Sequence, residues 1–301
     1  MVASLSMLGP TIVYTRLPFC SQELDHLFGL INPLRKASCV DTSYLKMLDF
    51  ILSSIVSWSS LTLTIESYTH IIATLLRIPS VQGPKKAFST CVSHLTVVTL
   101  AYESSIFLHV RPQHNQSLAS EKGASLLTEV VIPLLNPFIY SLRNDRVKEV
   151  LRDAIVRLMG CSKKGKLKSE MEEANETTVA EFMLLGFSGV RDKRQMFLFF
   201  VLLLTYLVTL TGNSLIIFIV WVDHRLHTPM YFFISNLSFL EIWFTSVTNP
   251  KMLLNFLSDS KTISFLACMA QSYFYFALGA VEFILLMVMS FDRYVAICHP
   301  L

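Results

Sequence analysis

Residues 196–222 read MFLFFVLLLTYLVTLTGNSLIIFIVWV, a run with no acidic or basic side chain. A helix needs ~20 predominantly apolar residues to cross the hydrocarbon core of a bilayer, and this run exceeds that length. Composition points the same way: 52% of the residues are hydrophobic and only 16% charged, and the apolar residues come in long blocks rather than in alternation. A soluble all-helical protein would show a polar face on each helix, which these blocks mostly lack. The chain reads as a membrane protein.

Five further blocks, at about 45–72, 87–110, 123–142, 229–254 and 262–291, are apolar but carry isolated acids or histidines. A charge at the bilayer centre costs ~2.5–3.5 kcal/mol on the insertion scale, so such residues are expected to face a bundle interior or a wet cavity. The expectation is an all-α, multi-pass helical bundle with six complete spans.

Net charge is only +3, but its distribution is informative. Residues 141–170 hold Arg143, Arg146, Lys148, Arg152, Arg157, Lys163, Lys164, Lys166 and Lys168, and the positive-inside tendency assigns them to the cytoplasm. Val147, Val150, Leu151, Ala154, Ile155 and Leu158 recur at helical spacing opposite these charges, as in a helix lying on the inner membrane surface. Cys161 beside them is either a palmitoylation site or an idle thiol. Counting back from this anchor, residues 11–44 lie outside, and Arg77, Lys85 and Lys86 lie inside. Cys20 and Cys39 then face an oxidising compartment that permits a disulfide.

Several segments carry a family resemblance. KAFSTCVSHLTVVTLAY (86–102), PLLNPFIYSLRNDRVKEVL (133–151), GNSLI (212–216), LHTPMYFFISNLSFLEI (226–242) and MSFDRYVAICHPL (289–301) resemble the motifs of vertebrate olfactory receptors. These are rhodopsin-like seven-helix receptors that couple odorant binding to a heterotrimeric G protein. In that family the GN, PMY and DRY helices come first, second and third, and the KAFSTC and NP..Y helices sixth and seventh. Here the order is reversed by halves. Residues 1–170 resemble the end of the fourth helix, the second outer loop, the fifth to seventh helices and the tail. Residues 171–301 resemble the amino terminus, with a glycosylation sequon at Asn175, and the first three helices. The resemblance implies that most of the fourth helix is missing.

This order raises a topological difficulty. The family's amino end is outside and its carboxyl end inside, so joining them needs one more crossing. Residues 159–195 are too charged to supply it, and their apolar part, Phe182 to Phe187, is far shorter than ~17 residues. The first loop of the second half offsets Arg225 with Asp223 and so opposes inversion only weakly. A fusion of two partial receptor coding regions is the expected origin. If the fusion is real, retention in the endoplasmic reticulum is expected in place of delivery to the plasma membrane.

The resemblance also implies roles for particular residues. Tyr102, Glu103, Tyr275, Phe276, Gly279 and Ala280 correspond to positions that either line an odorant cavity or pack the bundle, and Glu103 stands where the family usually has glycine. Asp292, Arg293 and Tyr294 resemble the G-protein switch, an ion pair that opens on activation. Glu241 and Glu282, with Asn136 and Asn213, form a set able to hold a sodium ion or to share a proton. Cys268 is the residue that the family joins to the middle cysteine of its outer loop; Gly29 stands at that middle position, leaving Cys20 and Cys39 to close their own loop. The expected partners are a small volatile odorant, a heterotrimeric G protein and the lipid membrane, with no nucleic acid.

No H-E-x-x-H zinc motif, glycine-rich phosphate loop or nucleophile elbow occurs in the sequence. His94 and His109 read as isolated structural residues. A transporter, suggested by the intramembrane glutamates, is disfavoured because the two halves do not resemble each other as inverted repeats would.

Overall fold

The computed structural model describes residues 2–21, 23–24, 31–77, 82–109, 123, 126–142, 181–184, 192–258 and 261–299. The helices are α1 (Val2–Thr15), α2 (Ile31–Ala37), α3 (Ser43–Arg77), α4 (Gln82–His109), α5 (Ile132–Leu142), α6 (Asp192–Val222), α7 (Pro229–Leu257) and α8 (Phe265–Cys298). Short strands β1 (Glu23–Leu24), β2 (Glu181–Leu184) and β3 (Thr262–Ser264) form one small sheet.

Local chemistry explains the element boundaries. Pro229 opens α7, where its missing N–H costs nothing. Ser264 caps α8, its hydroxyl accepting from the Ala267 N–H at 3.3 Å. The serine- and threonine-rich α3 stays compatible with lipid because Ser60, Thr62, Ser67 and Thr69 each donate to a carbonyl of the preceding turn at 2.8 Å.

Four helices among the described residues are long and apolar enough to cross a membrane: Ser43–Arg77, Gln195–Val222, Pro229–Leu257 and Phe265–Cys298. The expectation of six complete spans is therefore corrected. The 87–110 block does form the long helix α4, but His94, Glu103 and the intervening serines and threonines dilute its apolarity. In the 123–142 block, five residues of π-helix (Leu127–Val131) precede the eleven of α5, a continuous length of about 24 Å at 1.5 Å per residue. The hydrocarbon core is ~30 Å thick.

The helices nevertheless form one multi-pass bundle. α3 runs parallel to α8: Leu45 shares a core cluster with Cys268 and Met269, Ser290 Oγ donates to Thr64 Oγ1 at 3.3 Å, and Thr74 Oγ1 meets Cys298 Sγ at 3.2 Å. α5 likewise runs parallel to α6, with Val130 beside Leu202 in one cluster and Ile139 beside Ile216 in another. The end carrying the β-sheet is called outer here, and the end carrying Asp292 inner.

At the outer end, β2 pairs in parallel with β1 and antiparallel with β3 (Phe182 opposite Ile263). Phe182 is buried against Phe19 and Phe265, with ring centroids 5.3 and 6.0 Å apart. This aromatic knot ties together three segments distant in sequence.

Candidate functional site

A cavity of about 90 Å³ lies where α3, α4, α5, α7 and α8 converge. One wall is aromatic, made by Phe244, Tyr275, Phe276 and Phe283. Ser53, Ser57, Ser104, Ser105 and Thr128 also line the space, as do Glu241 and Glu282. A mostly apolar pocket with a few convergent polar groups suits a small organic molecule bearing one hydrogen-bonding group.

Of the residues singled out from sequence, Tyr275, Phe276, Gly279 and Ala280 line this cavity. An added Cβ at Gly279 would meet nothing within 4 Å, so that position keeps space open. Tyr102 does not line it; its hydroxyl donates to Ser60 Oγ at 2.6 Å and its ring lies 5.0 Å from that of Phe283. Glu103 is exposed on the outside of α4, which corrects its placement in the pocket. The serines were missed, although Ser53 and Ser57 stand four residues apart in SSIVS and so share a helix face.

Beneath the cavity, Asn136 donates its side-chain amide to Glu241, and the Asn213 amide donates to the carbonyls of Thr209 (3.0 Å) and Pro133 (3.4 Å). The side-chain oxygens Oδ1 of Asn136 and Asn213 are buried with no hydrogen-bond partner. Amide oxygens are the donor chemistry of a hard cation, which takes oxygen ligands, and of these two residues Asn136 touches a carboxylate, that of Glu241. No cluster of three or more His, Cys, Asp or Glu side chains able to hold a metal ion occurs among the described residues.

At the inner end, Arg293 is paired with its neighbour Asp292, Nη2 to Oδ2 at 2.5 Å. The Tyr294 ring lies tilted against that of His70, centroids 5.6 Å apart, and its hydroxyl lies 3.1 Å from His299 Nε2. His94 is not isolated: buried in the bundle, its Nδ1 lies 2.6 Å from the Tyr68 hydroxyl, joining α4 to α3. The sequence offered no signal for this pair, because its members lie on different helices.

At the outer end Cys20 and Cys39 are disulfide-bonded, while Cys268 is a free, buried thiol. Cys268, a disulfide candidate by its family position, therefore forms no disulfide; Leu24, Leu34 and Phe182 share its core cluster. Asp49 on α3 links the same region, accepting from the Tyr14 hydroxyl at 2.5 Å and pairing with Arg35 Nη1 at 3.2 Å. Gly29, Cys161 and Asn175 lie outside the described residues.

The described helices form one bundle around a cavity, and two family models match the chain. The olfactory receptor family model matches residues 1–160, and the model of the 7 transmembrane receptor (rhodopsin family) matches residues 212–301. Human olfactory receptor 6T1 is 50% identical over 152 residues, covering 50% of this chain and 47% of the relative. Mouse olfactory receptor 6E1 is 59% identical over 128 residues, covering 42% and 41% respectively. Human olfactory receptor 6J1 is 47% identical over 161 residues, covering 53% and 46%. The chain spans about half the length of the curated relatives it matches. The rhodopsin-like family is not catalytic, so the chain is no enzyme, and its apolar helices make it a multi-pass protein of the plasma membrane. With one family model covering more than half its length, the chain belongs to the olfactory receptor family.

Proposed function

We propose that this chain joins the carboxyl half of an olfactory receptor (residues 1–170) to the amino half of one (171–301), and that as one continuous polypeptide it does not signal. The observation carrying this reading is that α5 and α6, consecutive among the described helices, run parallel. Leu142 ends α5 at the inner end of the bundle, and Glu181, paired with Ser264, stands at the outer end. The intervening residues 143–180 are densely charged; their longest stretch without a charged side chain runs only from Leu158 to Ser162. Such a segment cannot span hydrocarbon. The separate family matches to the two parts support the same reading.

The test is full-length cDNA sequencing across the codons for Cys161 to Met171. Separate transcripts ending and starting there are the expected result. One continuous transcript whose product answers odorants overturns the reading.

Family membership supports a chemoreceptor role in general terms. In the finer reading, the cavity takes a small volatile odorant, its apolar body against Phe276 and Phe283 and its polar group toward the serine hydroxyls. The Asp292–Arg293 pair is the switch for a heterotrimeric G protein. The oxygen set of Asn136, Asn213, Glu241 and Glu282 holds either a sodium ion or a shared proton. A sodium-dependent rise in melting temperature that disappears in Glu241→Ala distinguishes the two.

A second reading, a permuted but working receptor, is favoured by one observation: residues of both halves line a single cavity. Odorant-evoked G-protein activation in cells expressing the full chain, with Asn175 glycosylated, would support it.

A further inference from the structure

Of the helices before residue 143, α1, α3 and α5 pack chiefly on helices after residue 191, whereas α4 packs more on its own neighbours α3 and α5. α3 lies against α8, and its contact with its neighbour α4 is slight by comparison; α5 lies against α6. Each of the four hydrophobic clusters among the described residues draws side chains from both halves. Val98 of α4 shares a cluster with Ile234 and Leu286, Val130 one with Leu202, and Ile71 one with Ile297. Polar contacts cross the same boundary, Thr64 to Ser290 and Asn136 to Glu241. In lipid, helix association depends on such close packing and interhelical hydrogen bonds, because lipid tails are as apolar as leucine. Neither half completes its own core.

We infer that the two halves are mutual docking partners that assemble when they enter the membrane as separate chains. The surface formed by α3, α4 and α5 is an interaction site whose occupant is a three-helix segment with the pattern of residues 192–298. This rests on the reading of the chain as two receptor halves, and it adds what that reading leaves open, namely that the halves retain a specific affinity. The charged stretch 143–180 is then the obstacle rather than the bridge. It holds both halves to one insertion sequence, whereas parallel α5 and α6 require both to start from the outer side. Separation within that stretch frees the second half to insert in the orientation that α3 and α8 need.

The contact between Thr74 and Cys298 supplies a readout independent of signalling and of transcript structure, since Thr74 Oγ1 lies 3.2 Å from the native thiol. A Thr74→Cys variant is made in two forms: the full chain, and the full chain with a self-cleaving sequence between Cys161 and Met171, so that both parts are synthesised separately. Membranes are treated with a mild thiol oxidant. Two thiols then lose two electrons and two protons to the oxidant and form the 74–298 disulfide, which is mapped by peptide mass spectrometry. Leu76→Cys, at a position 82% exposed on the same helix, is the control for random collision.

The expected result is a bond that joins the two separate chains several-fold more efficiently than it forms in the full chain, with little bond from Leu76→Cys. Gly212→Leu, which forces α6 away from Pro137, should weaken it. Absence of the bond between separate chains that have both inserted overturns the inference. Equal bond formation in the uncut chain also overturns it, because the charged stretch would then be no obstacle.

Discussion

Asn136 on α5 donates its side-chain amide to the carboxylate of Glu241 on α7, joining residues 105 positions apart and from opposite halves of the chain. Both are buried, so the contact stands in a low-dielectric interior where a carboxylate without its donor is costly. Replacing Asn136 with Ala should destabilise the bundle by about 1–3 kcal/mol. Glu241→Gln should cost less, because a neutral amide needs less compensation. Thermal unfolding of the detergent-solubilised protein checks the order of the two.

Gly212 and Gly279 should respond in opposite directions to the same substitution. A Cβ at Gly212 would meet the Pro137 ring at 3.1 and 3.2 Å, and a proline ring cannot rotate away. Gly212→Ala should cost about 1–3 kcal/mol through overpacking. Gly279→Ala meets open space and should stabilise helix α8 by up to about 1 kcal/mol, while shrinking the cavity. Melting temperatures of the two variants, measured side by side, decide this.

Tyr68→Phe removes only a hydroxyl, yet it leaves buried His94 Nδ1 without its 2.6 Å partner. A loss of about 1–3 kcal/mol is expected. Comparison with Thr62→Val, which removes a hydroxyl from an exposed position on the same helix, separates the pair from a general loss of polarity.

The Cys20–Cys39 bond closes a segment of 19 residues around α2. Converting both to serine should cost about 2–4 kcal/mol. Non-reducing peptide mapping of the unaltered protein should recover this pair with Cys268 free. A peptide joining Cys268 to either partner would refute the assignment.

In the loop between α6 and α7, hydrogen bonds from the Arg225 side chain and backbone N–H hold the Asp223 carboxyl down to about 2. Its folded-state value is thus depressed, so this contact is fully present above the ordinary value of ~3.9 and is lost as pH falls through 2. Because the loop is exposed, the consequence is local ordering rather than global stability. Carboxyl-carbon NMR should show the low midpoint, and Arg225→Ala should return it toward the usual range.

Hydropathy alone placed the chain in a membrane, because apolar length is a local property and residues 196–222 form one of the four helices fit to cross. It overcounted the spans where local chemistry intervenes. Serines, threonines, His94 and Glu103 dilute α4, and a π-turn shortens the continuous helix ending in α5. The pairing of Cys20 with Cys39 was also legible, since both fall in one short outer loop.

Which faces meet was decided only in three dimensions. A helix apolar on all sides presents no stripe from which to read its neighbours, so its orientation comes from side-chain fit with other helices. Glu103 turning outward, Tyr102 bonding to Ser60 rather than lining the cavity, and serines of α3 facing a cavity closed by α8 all follow from that fit. The reversed order of halves was written in the motifs. That the halves still match across every described core cluster is a property of packed surfaces, which depends on shape brought together in space rather than on position along the chain.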